Sequence, residues 1–291
     1  MEMAILGRTG LKVSRLGAGL YEIGLLTDVA AAGRLLNMAL DGGINFLDTA
    51  ACYDNSEEWI GRTISHRRQD YILATKAGHV TGGYQGEEWT PKTISDSIDR
   101  SLVRMRTDYL DLVQLHSCGV DILERGQVTQ ALLDVRQAGK TRFIGYSGDN
   151  KAALWAIENG PFDTLQITFN LVSQWARRDV LAKAKAKGMG IIAKRPIANA
   201  WWDAPRGLDQ TRDWYRQRAQ VMMDMGPIPK TLDPILLSLG FTLAHEQVDT
   251  AIVGTANPEH MRVNIELVKN DLPIPMEIVQ ELHNRFDRLE P

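Results

Sequence analysis

Short apolar runs alternate with longer amphipathic stretches along most of the chain. The runs lie at residues 15–19, 44–48, 71–75, 110–115, 142–147, 164–169, 190–194 and 250–253. Several of them are almost continuously apolar, which is typical of parallel strands that other elements cover on both faces. The pattern therefore predicts eight buried strands.

The stretches between these runs carry apolar residues at helical spacing. The stretch 29–41 ends at Gly42-Gly43, a good C-terminal signal, and a later stretch opens with Pro91 at its first position. The other predicted helices are 127–138, 151–159, 176–187, 233–245, 258–268, a weaker one at 56–65 and an added C-terminal helix at 275–291. Eight strands that are nearly all followed by a helix predict an α/β fold, a closed (β/α)8 TIM barrel.

Two segments lie outside this alternation. The opening segment 6–14 has a turn at 8–10 between two short extended runs, which predicts a β-hairpin that closes the barrel floor. The stretch 196–230 contains no barrel element, and long loops in compact domains are usually functional. Its arginine-rich run 212–218 predicts an exposed helix face. Because such barrels routinely form one unit of roughly 250 residues, we expect a single domain, 1–291.

Composition narrows the class of partner and compartment. The formal net charge of -3 argues against a nucleic-acid partner, and no apolar run approaches the roughly 20 residues of a membrane helix. The N-terminal segment shows no secretory signal. Cys52 and Cys118 are too few for a disulfide framework, so we expect free thiols and a cytoplasmic protein. The histidines are scattered singly, without metal-ligand spacing, and no metal is expected.

Polar residues at the ends of the predicted strands are the candidates for chemistry, because active sites of (β/α)8 barrels lie at that face. Asp48, Lys76 and His116 end the second, third and fourth predicted strands. Tyr53 lies in the loop just after Asp48. All four side chains are expected to point into one mouth.

Together these four residues predict a tuned proton donor. A tyrosine hydroxyl is a weak acid at neutral pH, and we expect the Lys76 ammonium to lower the pKa of Tyr53. Asp48 is expected to hold Lys76 charged as its buried partner. His116 can hydrogen-bond a substrate oxygen and orient it. No obvious nucleophile accompanies the set, so a separate hydride donor is needed, which implies a nicotinamide cofactor.

The order and context of these residues resemble the aldo-keto reductases over nearly the whole chain. Segment 6–14 is similar to the family's N-terminal hairpin, and 45–57 to the segment that carries its catalytic Asp and Tyr, while Lys76 and His116 match the rest of its tetrad. The resemblance implies an NADPH-dependent oxidoreductase that reduces aldehyde, ketone or sugar carbonyls to alcohols, with Tyr53 as the acid. NADH is the alternative cofactor.

The resemblance carries over to the cofactor residues less evenly. Ser147 and Gln166 match residues that hold the nicotinamide carboxamide, but Gly148 stands where many relatives have Asn. Where many members have Tyr-Ser-Pro, this chain has Lys-Arg-Pro at 194–196, so a stacking ring is absent and one of the two cations is expected to meet the pyrophosphate.

Segment 252–264 resembles the family's adenosine-phosphate loop. Gly254 and His260 stand where some members have the Lys and Arg that grip a 2′-phosphate, and Thr255 and Arg262 are candidates to compensate. The full set of expected cofactor residues is Gly19, Asp48, Ser147, Gly148, Gln166, Lys194, Arg195, Pro196, Gly254, Thr255, His260 and Asn264.

Aromatic residues near the strand ends are candidates for the substrate pocket beside Tyr53 and His116. Tyr21 follows the first strand, and Trp201 and Trp202 follow the seventh, where they either wall a pocket or pack the loop down. Cys52 is expected to be a small packing residue.

Two alternatives stay open. The first is a non-catalytic, nicotinamide-binding regulatory subunit, against which the intact tetrad argues. The second is an unrelated (β/α)8 lyase or aldolase that uses Lys76 as a Schiff base.

Overall fold

Eight parallel strands close into a barrel in the computed structural model, which describes residues 1–203, 210–228 and 232–290. The strands are β1 (Met3–Ile5), β2 (Lys12–Ser14), β3 (Leu16–Gly19), β4 (Phe46–Asp48), β5 (Ile72–Ala77), β6 (Leu110–His116), β7 (Thr141–Ser147), β8 (Thr164–Thr168), β9 (Gly190–Lys194) and β10 (Thr250–Gly254). From β3 onward each strand pairs in parallel with the next, and β10 returns to β3. The predicted (β/α)8 barrel is confirmed, and the predicted strands lie within two residues of the observed ones.

Helices follow the barrel strands and cover them. They are α1 (Tyr21–Gly24), α2 (Val29–Asp41), α3 (Ser56–Thr63), α4 (Pro91–Met105), α5 (Val120–Glu124), α6 (Gln127–Gln137), α7 (Asn150–Asn159), α8 (Trp175–Arg178), α9 (Val180–Ala186), α10 (Gln210–Asp224), α11 (Pro234–Leu243), α12 (Pro258–Asn270) and α13 (Met276–Leu289). The helix predicted at 176–187 is divided into α8 and α9 at Asp179, because its backbone angles, φ -153° and ψ -28°, are not helical. The added C-terminal helix is α13, although residue 291 lies outside the described residues.

An N-terminal hairpin closes the floor of the barrel, as the sequence predicts. Strands β1 and β2 pair antiparallel, and a short 3-10 turn at Gly7–Thr9 joins them. The buried side chains of Leu6 and Val13 pack with Phe46 and Leu112 from the barrel interior. The bottom of the barrel is therefore filled with apolar side chains, and the opposite face is left for polar groups.

The prediction of a loop at 196–230 is only partly right, because α10 lies inside it. Residues 204–209 and 229–230 of that stretch lie outside the described residues. Tyr215, Ala219 and Met222 share a buried face of α10, and Arg218 packs over the ring of Phe286. The expectation that the arginine-rich run forms a purely exposed face is therefore wrong.

Within the described part of the chain, none of the helices has the length and apolar character that a membrane span needs.

Candidate active site

A cavity of about 710 Å³ opens where the barrel strands end. Residues of seven of the eight barrel strands line it, among them Gly19, Asp48, His116, Ser147, Gln166, Lys194 and Gly254, of which all but Gln166 are the last residue of their strand. Because parallel strands of a closed barrel all end at one face, side chains far apart in sequence meet there. Tyr21, Tyr53, Arg195, Pro196 and Thr255 also line the cavity.

A buried ion pair lies at the base of this cavity. The Lys76 Nζ donates to Asp48 Oδ2 at 2.6 Å, to the backbone oxygen of Thr49 at 2.9 Å and to Tyr53 Oη at 3.4 Å. The side chains of Lys76 and Asp48 are only 1% and 2% exposed. All three N–H bonds of the ammonium therefore have an acceptor, and one acceptor is the predicted proton donor.

Strand register places the two charges against each other. Asp48 of β4 lies opposite Ala74 of β5, and Lys76 follows Ala74 by two residues. Since side chains alternate between faces along a strand, Lys76 points into the barrel like Ala74, whose side chain belongs to the buried interior. The pair is thus a consequence of the register between β4 and β5 rather than of a loop conformation.

The loop that carries Tyr53 is held close to the barrel. The Thr49 and Ser56 hydroxyls lie 2.8 Å apart and are hydrogen-bonded across it. On the outer side the loop lies against Gly24, where a Cβ would come within 2.2 Å of the Tyr53 backbone oxygen. Only glycine permits this approach, so the position of Gly24 helps to fix that of the Tyr53 hydroxyl.

The expectation that the pKa of Tyr53 is lowered is wrong, because all contributions together raise it. Burial raises the pKa of the Tyr53 phenol above its ordinary value of 10.0, and the Lys76 charge offsets only part of that rise. Sequence reasoning included the cation but not the desolvation, which depends on the folded surroundings. The phenol therefore holds its proton at neutral pH, and Lys76 favours its release.

Lys76 and His116 take opposite protonation states. Burial alone would lower the pKa of Lys76, but Asp48 and Tyr53 outweigh it and raise that pKa above 10.5. Burial, followed by the charge of Lys76, lowers the pKa of His116 to about 2. His116 is therefore a neutral imidazole beside a permanent cation.

Sequence reasoning missed Gln114, which lies under the cavity. Its Nε2 donates to Asp48 Oδ1 at 3.3 Å, and Gln166 Nε2 donates to the same oxygen at 2.7 Å. Ser147 Oγ in turn donates to Gln166 Oε1 at 2.7 Å. A signal did exist, because Gln114 precedes His116 by two residues and so shares its face of β6. This network extends from the ion pair to the residues predicted to hold nicotinamide.

Two basic residues lie at the C-terminal end of β9, at the cavity wall: Lys194 is its last residue and Arg195 follows it. Lys194 Nζ lies 3.1 Å from Asp149 Oδ2, and burial lowers its pKa. The backbone oxygen of Arg195 accepts a hydrogen bond of 3.0 Å from Asn170 Nδ2. This side of the cavity is thus suited to an anionic ligand, balanced in part by Asp149.

Several predicted residues lie away from the cavity lining. Gly148 packs against Tyr146, whose hydroxyl would be 2.4 Å from a Cβ there. His260 is exposed on α12, whereas Asn264 on the same helix is only 3% exposed. The Asn264 Oδ1 is buried and has no hydrogen-bond partner among the described residues. Their predicted contacts with a cofactor stay predictions.

Trp201 and Trp202 are also not among the described residues that line the cavity. Their rings meet edge to face with centroids 5.6 Å apart, and Trp201 packs against the hydrophobic core. Trp201 therefore packs the loop down in this structure, and Trp202 contacts its ring. Lining residues outside the predicted set of site residues are Leu20, Glu22, Ser117, Ile197, Asn199, Ala200, Thr211, Arg212, Ile252, Val253 and Ala256.

Comparisons with known proteins agree with this architecture. The family model of the Aldo/keto reductase family matches residues 15–283. The aldo-keto reductase AKR11C1 from Bacillus halodurans, in its holo form, superposes with a TM-score of 0.85 at 26% identity, covering 98% of this chain and 96% of that one. An L-galactose dehydrogenase of Arabidopsis thaliana is 28% identical, over 92% of this chain and 88% of the relative. An uncharacterized oxidoreductase of Bacillus subtilis, YqkF, is 28% identical over 90% and 89%.

Asp48→Asn should destabilise the fold strongly, because it leaves the buried Lys76 charge without its counterion. We expect a loss of about 3–5 kcal/mol in the free energy of unfolding, measured by urea denaturation at neutral pH. The double variant Asp48→Asn/Lys76→Met removes both charges and should recover part of that loss. If the free energy of unfolding of Asp48→Asn lies within about 1 kcal/mol of that of the parent, the role assigned to the ion pair is contradicted.

His116 should make the protein sensitive to acid. Its folded pKa of about 2 lies below the ordinary 6.5, so the unfolded chain gains a proton first as pH falls below 6.5. Each bound proton changes stability by about 1.4 kcal/mol per pH unit. We therefore expect His116→Gln to lose less stability than the parent between about pH 7 and 4.5 in urea denaturation. If the free energy of unfolding depends on pH in the same way in the parent and in His116→Gln, His116 is not buried as described.

Proposed function

The chain belongs to the aldo/keto reductase family and is an NAD(P)H-dependent oxidoreductase, and we propose that it reduces aldehyde and ketone carbonyls with NADPH, Tyr53 giving the proton. The observation that carries the proposal is the contact of Lys76 Nζ with both Asp48 and Tyr53 at the base of the cavity. This contact places a cation beside the protonated phenol of Tyr53, and the cation stabilises the phenolate that forms when the proton is transferred.

In this proposal the proton moves from Tyr53 Oη to the substrate oxygen. When bound, the dihydronicotinamide supplies the hydride that the carbonyl carbon receives. The carbonyl oxygen gains negative charge and takes the phenol proton, and the product is an alcohol. Lys76 lies 3.4 Å from Tyr53 Oη and offsets the charge that the phenol acquires. In the reverse direction the same phenolate accepts the proton as a base.

His116 serves as a hydrogen-bond donor to the carbonyl oxygen. It lines the cavity beside Tyr53, with ring centroids 5.8 Å apart. Since its pKa is lowered to about 2, it acts as a neutral imidazole and not as the general acid. Orientation and proton transfer are thus assigned to two different residues.

The residues present fit a nicotinamide cofactor. Ser147 and Gln166 carry the donors and acceptors that a carboxamide needs, close to Asp48. The Oδ1 of Asn264, which has no hydrogen-bond partner in the described part of the chain, is suited to the amino group of adenine. The N-terminus of α12, capped by Asn257, and the nearby cations of β9 are suited to phosphate groups.

Lys76 is a poor candidate for a Schiff base. A nucleophilic amine must be neutral, whereas Asp48 and Tyr53 raise the pKa of Lys76. Its three N–H bonds are also directed at three fixed acceptors. The same contacts support proton tuning.

We infer sugar carbonyls as the first substrates to examine. The plant relative that aligns with most of the chain is named for the dehydrogenation of a sugar, L-galactose. Glu22 and Asn199 at the cavity wall provide acceptors and donors for hydroxyl groups. We also place the protein in the cytoplasm, where the free thiols of Cys52 and Cys118 would be kept reduced.

Tyr53→Phe should abolish carbonyl reduction while nicotinamide binding is kept, because only the proton donor is removed. General acids contribute about 10²- to 10⁴-fold, and kcat should fall by that range. Turnover is measured by NADPH absorbance with aldehydes, ketones and aldoses, and binding by fluorescence quenching. Tyr21→Phe is the matched control, since Tyr21 contacts Tyr53 edge to face at 5.3 Å but lacks the Lys76 contact. Near-normal turnover of Tyr53→Phe would disprove the assignment, and binding without any turnover in the parent would favour a regulatory subunit.

The choice of NADPH depends on Arg262 in this proposal. Arg262 is exposed and pairs with Glu259 and Glu266, and exposed pairs are weak enough to be exchanged for a 2′-phosphate. We expect kcat/KM to be higher for NADPH than for NADH. Arg262→Ala should lower the NADPH value by about tenfold and leave the NADH value unchanged. A parent that prefers NADH, or a variant that affects both cofactors equally, would contradict this part.

A further inference from the structure

Cys52 contacts the imidazole of His116. The Cys52 Sγ lies 3.4 Å from His116 Nδ1, within hydrogen-bond distance for sulfur. His116 lines the cavity, whereas Cys52 is not among the described residues that do. The thiol therefore contacts the ring on the side away from the cavity. The sequence marks Cys52 only as a small packing residue next to Tyr53.

The other nitrogen of the ring is left for a ligand. None of the hydrogen bonds among the described residues includes His116 Nε2, whereas Nδ1 lies 3.4 Å from the Cys52 thiol. The rings of Tyr53 and His79 meet His116 edge to face, at centroid distances of 5.8 and 5.2 Å. These ring contacts fix the plane of the imidazole but do not decide which nitrogen carries its single proton.

The thiol contact bears on this choice, because either the S–H donates to Nδ1 or an Nδ1–H donates to the sulfur, according to the tautomer. Burial raises the pKa of the Cys52 thiol, so the S–H is retained and can donate. A neutral imidazole has one N–H, and an acceptor at Nδ1 requires that the proton be at Nε2. With the opposite tautomer, an Nε2 lone pair would face the cavity and repel a carbonyl oxygen.

We propose that Cys52 is a positioning residue that holds His116 in its Nε2–H tautomer, so that the imidazole donates a hydrogen bond to the carbonyl oxygen of the substrate. This inference rests on the proposed carbonyl reduction. It assigns Cys52 a part in orienting the substrate, although the thiol does not touch the reacting atoms.

The tautomer of His116 can be measured directly. In protein labelled with 15N-histidine, long-range proton–nitrogen NMR separates the two tautomers, and His116→Gln identifies the signal among the six histidines. We expect Nε2–H in the parent, a shift toward Nδ1–H in Cys52→Ala, and Nε2–H again in Cys52→Ser, whose hydroxyl can still donate. Cys118→Ala replaces the other cysteine and should leave the His116 signal unchanged.

Kinetics provide the second readout. Cys52→Ala should lower kcat on the order of tenfold, the factor that one neutral hydrogen bond represents, and Cys52→Ser should recover most of it. The KM for the nicotinamide cofactor should not change. Circular dichroism establishes that each variant is folded.

The outcomes separate this inference from the proposed function. An Nδ1–H tautomer in the parent, or an unchanged Nε2–H tautomer in a folded Cys52→Ala, overturns the role of Cys52 even if carbonyl reduction is intact. A parent with the Nε2–H tautomer but no carbonyl reduction overturns the proposed function, and with it the substrate contact assigned to His116.

Discussion

The buried ammonium group of Lys76 is the constraint on which the rest of the site depends. Removing such an ion from water costs several kcal/mol, so the fold must provide a counterion and an acceptor for every N–H. Asp48 supplies the charge, the backbone oxygen of Thr49 supplies the second acceptor and Tyr53 the third. Asp48 and Thr49 lie at the end of β4 and Tyr53 follows Thr49 by four residues, so one short segment of the chain supplies all three acceptors of the buried cation. The proposed catalytic geometry is then already present in the folded chain.

Barrel closure extends this arrangement to groups from distant strands. Gln114 and Gln166 both donate to the Asp48 oxygen that Lys76 leaves free, and Ser147 continues the chain of hydrogen bonds. Asp48 thus connects the proton-donor side of the cavity with the side proposed to bind nicotinamide. A closed parallel barrel permits this because its strand ends converge, whereas an open sheet would separate β4 from β8 by several strand widths.

The fold was predictable because buried parallel strands leave continuous apolar runs, and the polar residues that end those runs, such as Asp48, predicted where chemistry would lie. The net pKa of Tyr53 was not predictable, because desolvation is set by neighbours that only the folded chain assembles. The positions of Trp201 and Trp202 depend on a loop path that no periodicity records. The Cys52 contact is also absent from any sequence pattern, since it joins residues 64 positions apart.

We propose that the Lys76 charge makes the Tyr53 proton transferable. The pH dependence of the single-turnover rate of carbonyl reduction, measured in the parent and in Lys76→Met, tests this most directly. Reduction requires a protonated phenol, and loss of the cation makes that phenol harder to ionise. We expect the rate to fall on the order of 100-fold in the variant and its alkaline decline to move to higher pH. An alkaline decline at the same pH in both proteins, with similar rates, would contradict it.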